Sequence, residues 1–132
     1  MNANRLAPLM GALACACLAL PAFAADRMHA GQWTGVTTAA GRTYNSSSCL
    51  SQADANAMNG DARSIQAYLE KTIPPSICKL SNIKATGNQV SYSSACHGRP
   101  ATVVTTAYHG DSFEAADTLG TKSTGHRVGP CG

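Results

Sequence analysis

The clearest pattern along this chain is an alternation of apolar and polar positions between Val90 and Asp117, where the sequence reads VSYSSACHGRPATVVTTAYHGDSFEAAD. Gly98-Arg99-Pro100 and His109-Gly110-Asp111 divide it into three strand-length runs. Val90, Tyr92 and Cys96 share one parity, as do Val104, Thr106 and Tyr108, and a period of two is what a half-buried antiparallel strand requires. Glycine, proline and aspartate at the breaks are turn formers, so the stretch predicts an antiparallel meander.

The flanking segments fill out the fold. Gly31 to Thr38 predicts a first strand with Trp33 as its core anchor. Ala39-Ala40-Gly41 turns the chain into a polar second strand, Arg42 to Cys49, which reads as an edge or a widely solvated position. Ser51 and Asp61 are N-caps for two helical pieces, Gln52 to Met58 and Ala62 to Thr72, ended by Asn59-Gly60 and by Pro74-Pro75. Ile65, Tyr68, Leu69 and Ile73 recur at three- and four-residue spacing, giving the second piece an apolar face that only a sheet can cover. Ile77 to Ala85 predicts a strand whose parity slips at Ile83, the sign of a bulge or of the strand ending near Asn82. Lys122 to Val128 has so few apolar residues that it reads as a closing edge. The expectation is an α+β fold: a single antiparallel β-sheet, a curved meander or half-barrel of six or seven strands in largely sequential order, with the 52–72 helical insert on one face. An all-β sandwich with a peripheral helix is the alternative architecture.

The amino terminus has a different character. Arg5 precedes the almost unbroken apolar run Leu6 to Leu20, then come Pro21 and the small-x-small site Ala22-Phe23-Ala24. These are the parts of a cleaved export signal. The domain reading is therefore a signal peptide at 1–24, a flexible leader at 25–30 and a single disulfide-stapled domain at 31–132. After signal removal the chain is not transmembrane, because the apolar run is short for a stable span. Periplasmic or secreted residence follows, the alternative being membrane attachment through a retained or lipidated signal segment.

Two of the six cysteines, Cys15 and Cys17, lie in the apolar run, which leaves Cys49, Cys78, Cys96 and Cys131. An even number in a short exported chain argues for disulfides. Of the three pairings, Cys49–Cys78 and Cys96–Cys131 are expected, the first bracketing the helical insert and the second tying the chain end to the sheet. Such bridges matter in a chain with one Trp and two Phe, because a small domain buries a modest core.

Lys plus Arg number ten and Asp plus Glu seven, a net charge of +3. The basic residues are scattered singly, without the aromatic interleaving of a nucleic-acid surface, so no nucleic-acid partner is expected. The charge is compatible with weak association with an anionic envelope surface.

Candidate chemistry is sparse. His29, His97, His109 and His126 are the side chains that titrate near neutrality. His97 and His109 fall at opposite ends of one predicted strand, about 20 Å apart, too far to share a metal. His109, Asp111 and His126 form the least unfavourable metal set, and the expectation is no metal and no cofactor. No Gly-x-Ser-x-Gly elbow and, after Cys17, no Cys-x-x-Cys occurs, so no catalytic residue is assigned. Trp33, Tyr44, Tyr92, Tyr108 and Phe113 are the residues that would line a binding site for a small apolar or amphipathic ligand, unless they are simply the scarce core.

Several short motifs carry a family resemblance: Gly31-Gln32-Trp33-Thr34 with Thr37, Cys49-Leu50-Ser51, the isolated Cys78, Cys96 with its alternating sequel, Gly110-Asp111-Ser112-Phe113, and Gly125-His126-Arg127-Val128-Gly129-Pro130-Cys131. In order and spacing they resemble the exported bacterial domain-of-unknown-function family number 3617, small periplasmic four-cysteine proteins. The chain departs from that pattern at Ala30, where the family usually has Pro, and at Ser51-Gln52, where it often has Thr-Pro. The resemblance implies periplasmic residence and a mainly antiparallel fold, with no assigned activity. The expected function is thus a structural or interaction domain of the cell envelope with unknown partners; the alternative is the small-ligand module.

Overall fold

The turn and cap signals map onto nine elements in the computed structural model, which describes residues 25–132. The expected export signal, with Cys15 and Cys17, lies outside the described residues. The elements are β1 (Gly31–Ala39), β2 (Arg42–Leu50), α1 (Gln52–Met58), α2 (Ala62–Thr72), β3 (Cys78–Thr86), β4 (Gln89–Cys96), β5 (Thr102–Tyr108), β6 (Ser112–Asp117) and β7 (Lys122–Gly129). All seven strands form one sheet in the order β2-β1-β7-β6-β5-β4-β3, and every neighbouring pair is antiparallel. The fold is α+β, a single antiparallel sheet with a two-helix insert packed on one face.

The helices begin where their caps sit. Ser51 Oγ accepts from the Asp54 amide at 3.1 Å, and Asp61 Oδ1 accepts from the Ser64 amide at 2.9 Å, satisfying donors that a helix start leaves unpaired. On the wet side Lys71 Nζ bonds Asp54 Oδ1 at 2.9 Å and ties the helices together. Their buried residues are Ala55 and Met58 from α1 and Ile65 and Leu69 from α2.

The register shows which sheet residues meet them. Trp33 pairs with Ser48 and Arg127, Phe113 with Gly125 and Tyr108, Val90 with Thr106, and Tyr92 with Val104. Directly paired residues share a face, so Trp33, Phe113, Tyr108, Val90 and Tyr92 lie on one side, and Leu50 and Leu80 join them in the core. Met58, Ile65 and Val90 are its largest fully buried side chains, each contributing about 1.5–3 kcal/mol by leaving water. The parity slip at Ile83 is a bulge: β3–β4 pairing shifts between Ser81 and Lys84, and Asn82 has φ +54°.

Three expectations are corrected. First, β7 is central, between β1 and β6. Its inward residues need not be apolar, because neighbours cover them. The Phe113 ring lies where a Cβ on Gly125 would stand, and Arg127 Nε donates to Ala30 O at 2.6 Å.

Second, the disulfides are Cys49–Cys131 and Cys78–Cys96, in place of Cys49–Cys78 and Cys96–Cys131. The insert carries the chain from one edge of the sheet to the other. In a flat sheet of this order Cys49 on β2 and Cys78 on β3 would stand roughly 29 Å apart, far beyond the reach of a bridge. Cys78 instead faces Cys96 directly in the β3–β4 hairpin. Cys49, at the end of β2, meets the tail leaving β7 across the start of β1.

Third, the segment expected as a flexible leader, 25–30, is packed from Arg27 onward. Arg27 is 4% and Met28 9% exposed. Arg27 Nε donates to Gly87 O at 2.8 Å, and one terminal nitrogen donates to Met58 O at 3.0 Å and Gly60 O at 2.9 Å. Asn59 Oδ1 accepts from the Arg27 and Met28 amides at 2.7 and 2.9 Å, while Asn59 Nδ2 donates to Met28 O at 2.9 Å. Residues 27–29 also exchange backbone hydrogen bonds with Gly110.

Two measurements check this account. Arg27→Met leaves the buried Met58 carbonyl and the part-buried Gly60 and Gly87 carbonyls without their charged donor, and urea unfolding should show a loss on the order of 3 kcal/mol. Removing Cys49–Cys131, which closes 82 residues, should cost more than removing Cys78–Cys96, which closes 18. The chain-entropy model gives roughly 4.5 against roughly 3 kcal/mol, and paired Cys→Ser variants compared by denaturant midpoint would reveal the order.

Candidate functional site

The two edges of the sheet are built differently, and the difference follows from their sequences. An edge strand presents a row of backbone N–H and C=O groups to anything extended that approaches, and natural edges are blunted with charges, prolines or bulges. At the β3 edge the bulge between Ser81 and Lys84 interrupts the ladder, and Lys79 and Lys84 are exposed.

The β2 edge has none of these devices beyond its first residue. All nine residues pair with β1 without a register shift, and Arg42 to Cys49 are exposed. Its sequence, RTYNSSSCL, has one charge, at Arg42, and no proline. The small hydroxyl side chains keep the strand thin, and Gln32 Nε2 donates to Ser47 Oγ at 2.8 Å from the neighbouring strand. Cys49–Cys131 fastens its far end to the carboxy-terminal tail. The result is an unbroken, anchored edge strand whose residues from Arg42 to Cys49 face solvent.

The aromatic set is distributed along one face. By register Tyr44, paired with Thr37, lies on the same side as Trp33, Tyr92, Tyr108 and Phe113. Trp33 and Tyr108 are buried, and Phe113 stands between them with ring centroids 6.0 Å from Trp33 and 6.1 Å from Tyr108. Trp33 Nε1 donates to His29 O at 3.0 Å. Tyr92 packs against the same core, and desolvation raises its phenol pKa, as it does that of Tyr108. Tyr44 stands apart, 53% exposed on β2. None of these five residues lines the hollows at the β3–β4 hairpin root or along β5, β6 and β7.

The larger hollows, about 510 and 450 Å³, flank the root of the β3–β4 hairpin beside Cys78–Cys96. Smaller ones, about 390 and 190 Å³, lie along β5, β6 and β7. Because Cys96 is bridged to Cys78, its neighbour His97 has no free thiol to activate.

The histidine that the sequence pattern undervalued is His29. Its Nδ1 meets Asp111 Oδ1 at 2.8 Å and its Nε2 meets Asp26 Oδ1 at 2.9 Å. The hydrogen bond with Asp111, then that with Asp26, raises its pKa above the ordinary 6.5. The trio pins residues 26–29 onto the β5–β6 turn, where a Cβ on Gly110 would stand 3.0 Å from the His29 ring and φ is +81°. Among the described residues no three of His, Cys, Asp and Glu come together as metal ligands, so His109, Asp111 and His126 form no such group. Nor is any helix among them long and apolar enough to cross a membrane.

Compared with known proteins, residues 28–131 match a family model described as "Protein of unknown function (DUF3617)". The chain belongs to the DUF3617 family. The match begins at Met28, beside the buried Arg27, and ends at Cys131, the partner of Cys49. The family segment therefore contains every strand, both helices and both disulfides of this DUF3617 domain. No curated protein and no solved structure matches the chain.

A folded-state pKa above the unfolded value makes the His29 contribution fully present below about pH 6.5 and lost as pH rises through the folded value. The stability difference between wild type and His29→Gln should be larger at about pH 5.5 than at about pH 8.5. In an NMR titration, Asp111→Asn should lower the His29 midpoint; an unmoved midpoint would remove Asp111 as the principal cause.

Proposed function

We propose that this DUF3617 domain is an interaction module of the cell envelope, exported to the periplasm, and that its recognition element is the free edge of β2. The partner is another envelope protein that supplies an extended segment as an eighth strand. The observation that carries the reading is the contrast between the edges: β3 is interrupted and charged, whereas β2 is unbroken, exposed and uncharged after Arg42. Strand addition draws affinity from main-chain hydrogen bonds, so it needs no deep pocket or charged cluster on the receiving side.

Export is supported by the signal-like residues 1–24 and by two disulfides, which persist in oxidising compartments. Attachment through a retained or lipidated signal segment would be compatible with the same edge. The second reading is a module that binds a small apolar or amphipathic ligand on the face of Trp33, Tyr44, Tyr92, Tyr108 and Phe113. Their common face favours it, but four of the five belong to the core or pack against it, so a ligand among them would have to displace core contacts.

The test is photo-crosslinking in intact cells with a crosslinkable residue at Ser47 on β2 or at Lys84 on β3. The expected outcome is a discrete heterologous adduct at Ser47, absent at Lys84 and lost when Ser46→Lys is added. Adducts at both positions, or at neither, would reject the reading. An adduct only with a second copy of the chain would replace the proposed partner by self-pairing.

A further inference from the structure

The root of the β3–β4 hairpin, at the edge opposite β2, combines an exposed aliphatic side chain with cations that have no acidic neighbour. Ile77 is 58% exposed. It is held out on a tight turn after the two prolines, its amide donating to Pro74 O at 2.8 Å and the Cys78 amide reaching the same oxygen at 3.2 Å. The His97 amide donates to Ile77 O at 3.4 Å, and Cys78–Cys96 closes the hairpin one step further in. Ile77 is therefore displayed on a braced turn.

Hollows flank this turn on both faces of the hairpin. One includes Ser76, Cys78 and Arg99, the other Pro75, Lys79 and Ala95, and both share Ile77, Cys96 and His97. No acidic residue lines either. Lys79, His97 and Arg99 are exposed, and among the described residues none of the three takes part in an ion pair.

We infer that this hairpin root is a contact site for a lipid surface bearing anionic headgroups, with Ile77 entering the headgroup layer and Lys79, Arg99 and His97 facing the phosphates around it. Charge complementarity selects the occupant, since an apolar tip flanked by Lys79 and Arg99 with no acidic residue among the lining suits an anionic interface. The placement of the hollows selects a surface over a single molecule: one small ligand would fill the hollow on one face of the hairpin, whereas a lipid surface meeting the hairpin end reaches both. The contact is shallow and reversible, because one aliphatic side chain and a few cations fall far short of a stable anchor. The inference is independent of the strand-addition reading, since β2 and β3 are opposite edges.

Co-sedimentation with vesicles tests it, using the oxidised chain from Ala25 onward, which contains every element and disulfide described. Residues 1–24 are omitted because their apolar run would itself partition into lipid. Vesicles of equal parts phosphatidylglycerol and phosphatidylcholine should retain the protein, and phosphatidylcholine alone should not. Lys79→Gln and Arg99→Gln should each weaken partition about fivefold, and Ile77→Asp should abolish it. Arg42→Gln, at the other edge, should leave it unchanged. Thermal melts of each variant separate lost binding from lost folding, and Ile77, Lys79 and Arg99 are all exposed enough to be replaced without disturbing the core. Equal retention on both vesicle types, no retention on either, or retention unaffected by the hairpin substitutions would overturn the assignment.

Discussion

A guanidinium removed from water must recover its hydrogen bonds inside the protein, and the layered arrangement of this domain depends on how Arg27 does so. Its partners are backbone carbonyls from three places: Met58 at the end of α1, Gly60 in the link to α2, and Gly87 in the β3–β4 turn. A cation near the carbonyl end of a helix is favourably placed, and here the same cation also grips the sheet. Asn59 completes the clamp by bonding the backbone on both sides of the Arg27–Met28 peptide. Because the acceptors are fixed main-chain groups, moving one layer against the other would strand a buried charge.

The clamp works with a second constraint, the meeting of β1 and β7. The first and last of the described strands pair inside the sheet, so the sheet is complete only when both ends of the described segment have folded. Cys49–Cys131 spans the same junction and links the edge hairpin to the tail. Cys78–Cys96 braces the other edge locally. One bridge thus secures a long-range closure and the other a hairpin, which is why their loops differ so much in length.

These constraints determine which surfaces are available. The helices and the clamp occupy the face that holds most of the aromatics, and two exposed features lie at the margins: the bare edge of β2 on one side and the basic, Ile77-tipped hairpin root on the other. Both are held by disulfides, and both lie at ends of the strand order. A domain arranged in this way leaves both margins accessible without opening its core.

Much of this was legible in the residues. Alternation from Val90 to Tyr108 marked the meander, Ser51 and Asp61 marked the helix starts, the Ile83 parity slip marked the bulge, and the polar run after Arg42 marked an edge. All are local signals, governed by side-chain period and by hydrogen bonds within a few residues. Three matters were not local. Cysteine spacing along the chain could not show that the helical insert crosses the whole sheet. The polarity of Lys122 to Val128 could not show that Phe113 would lie over Gly125. Nothing near Arg27 in sequence hinted at carbonyls from Met58, Gly60 and Gly87. Local pattern determined the elements, the order in which they occur and the faces they bury. Strand neighbours, disulfide partners and the burial of the segment before β1 were decided only in three dimensions, because each depends on groups that meet after the sheet has closed.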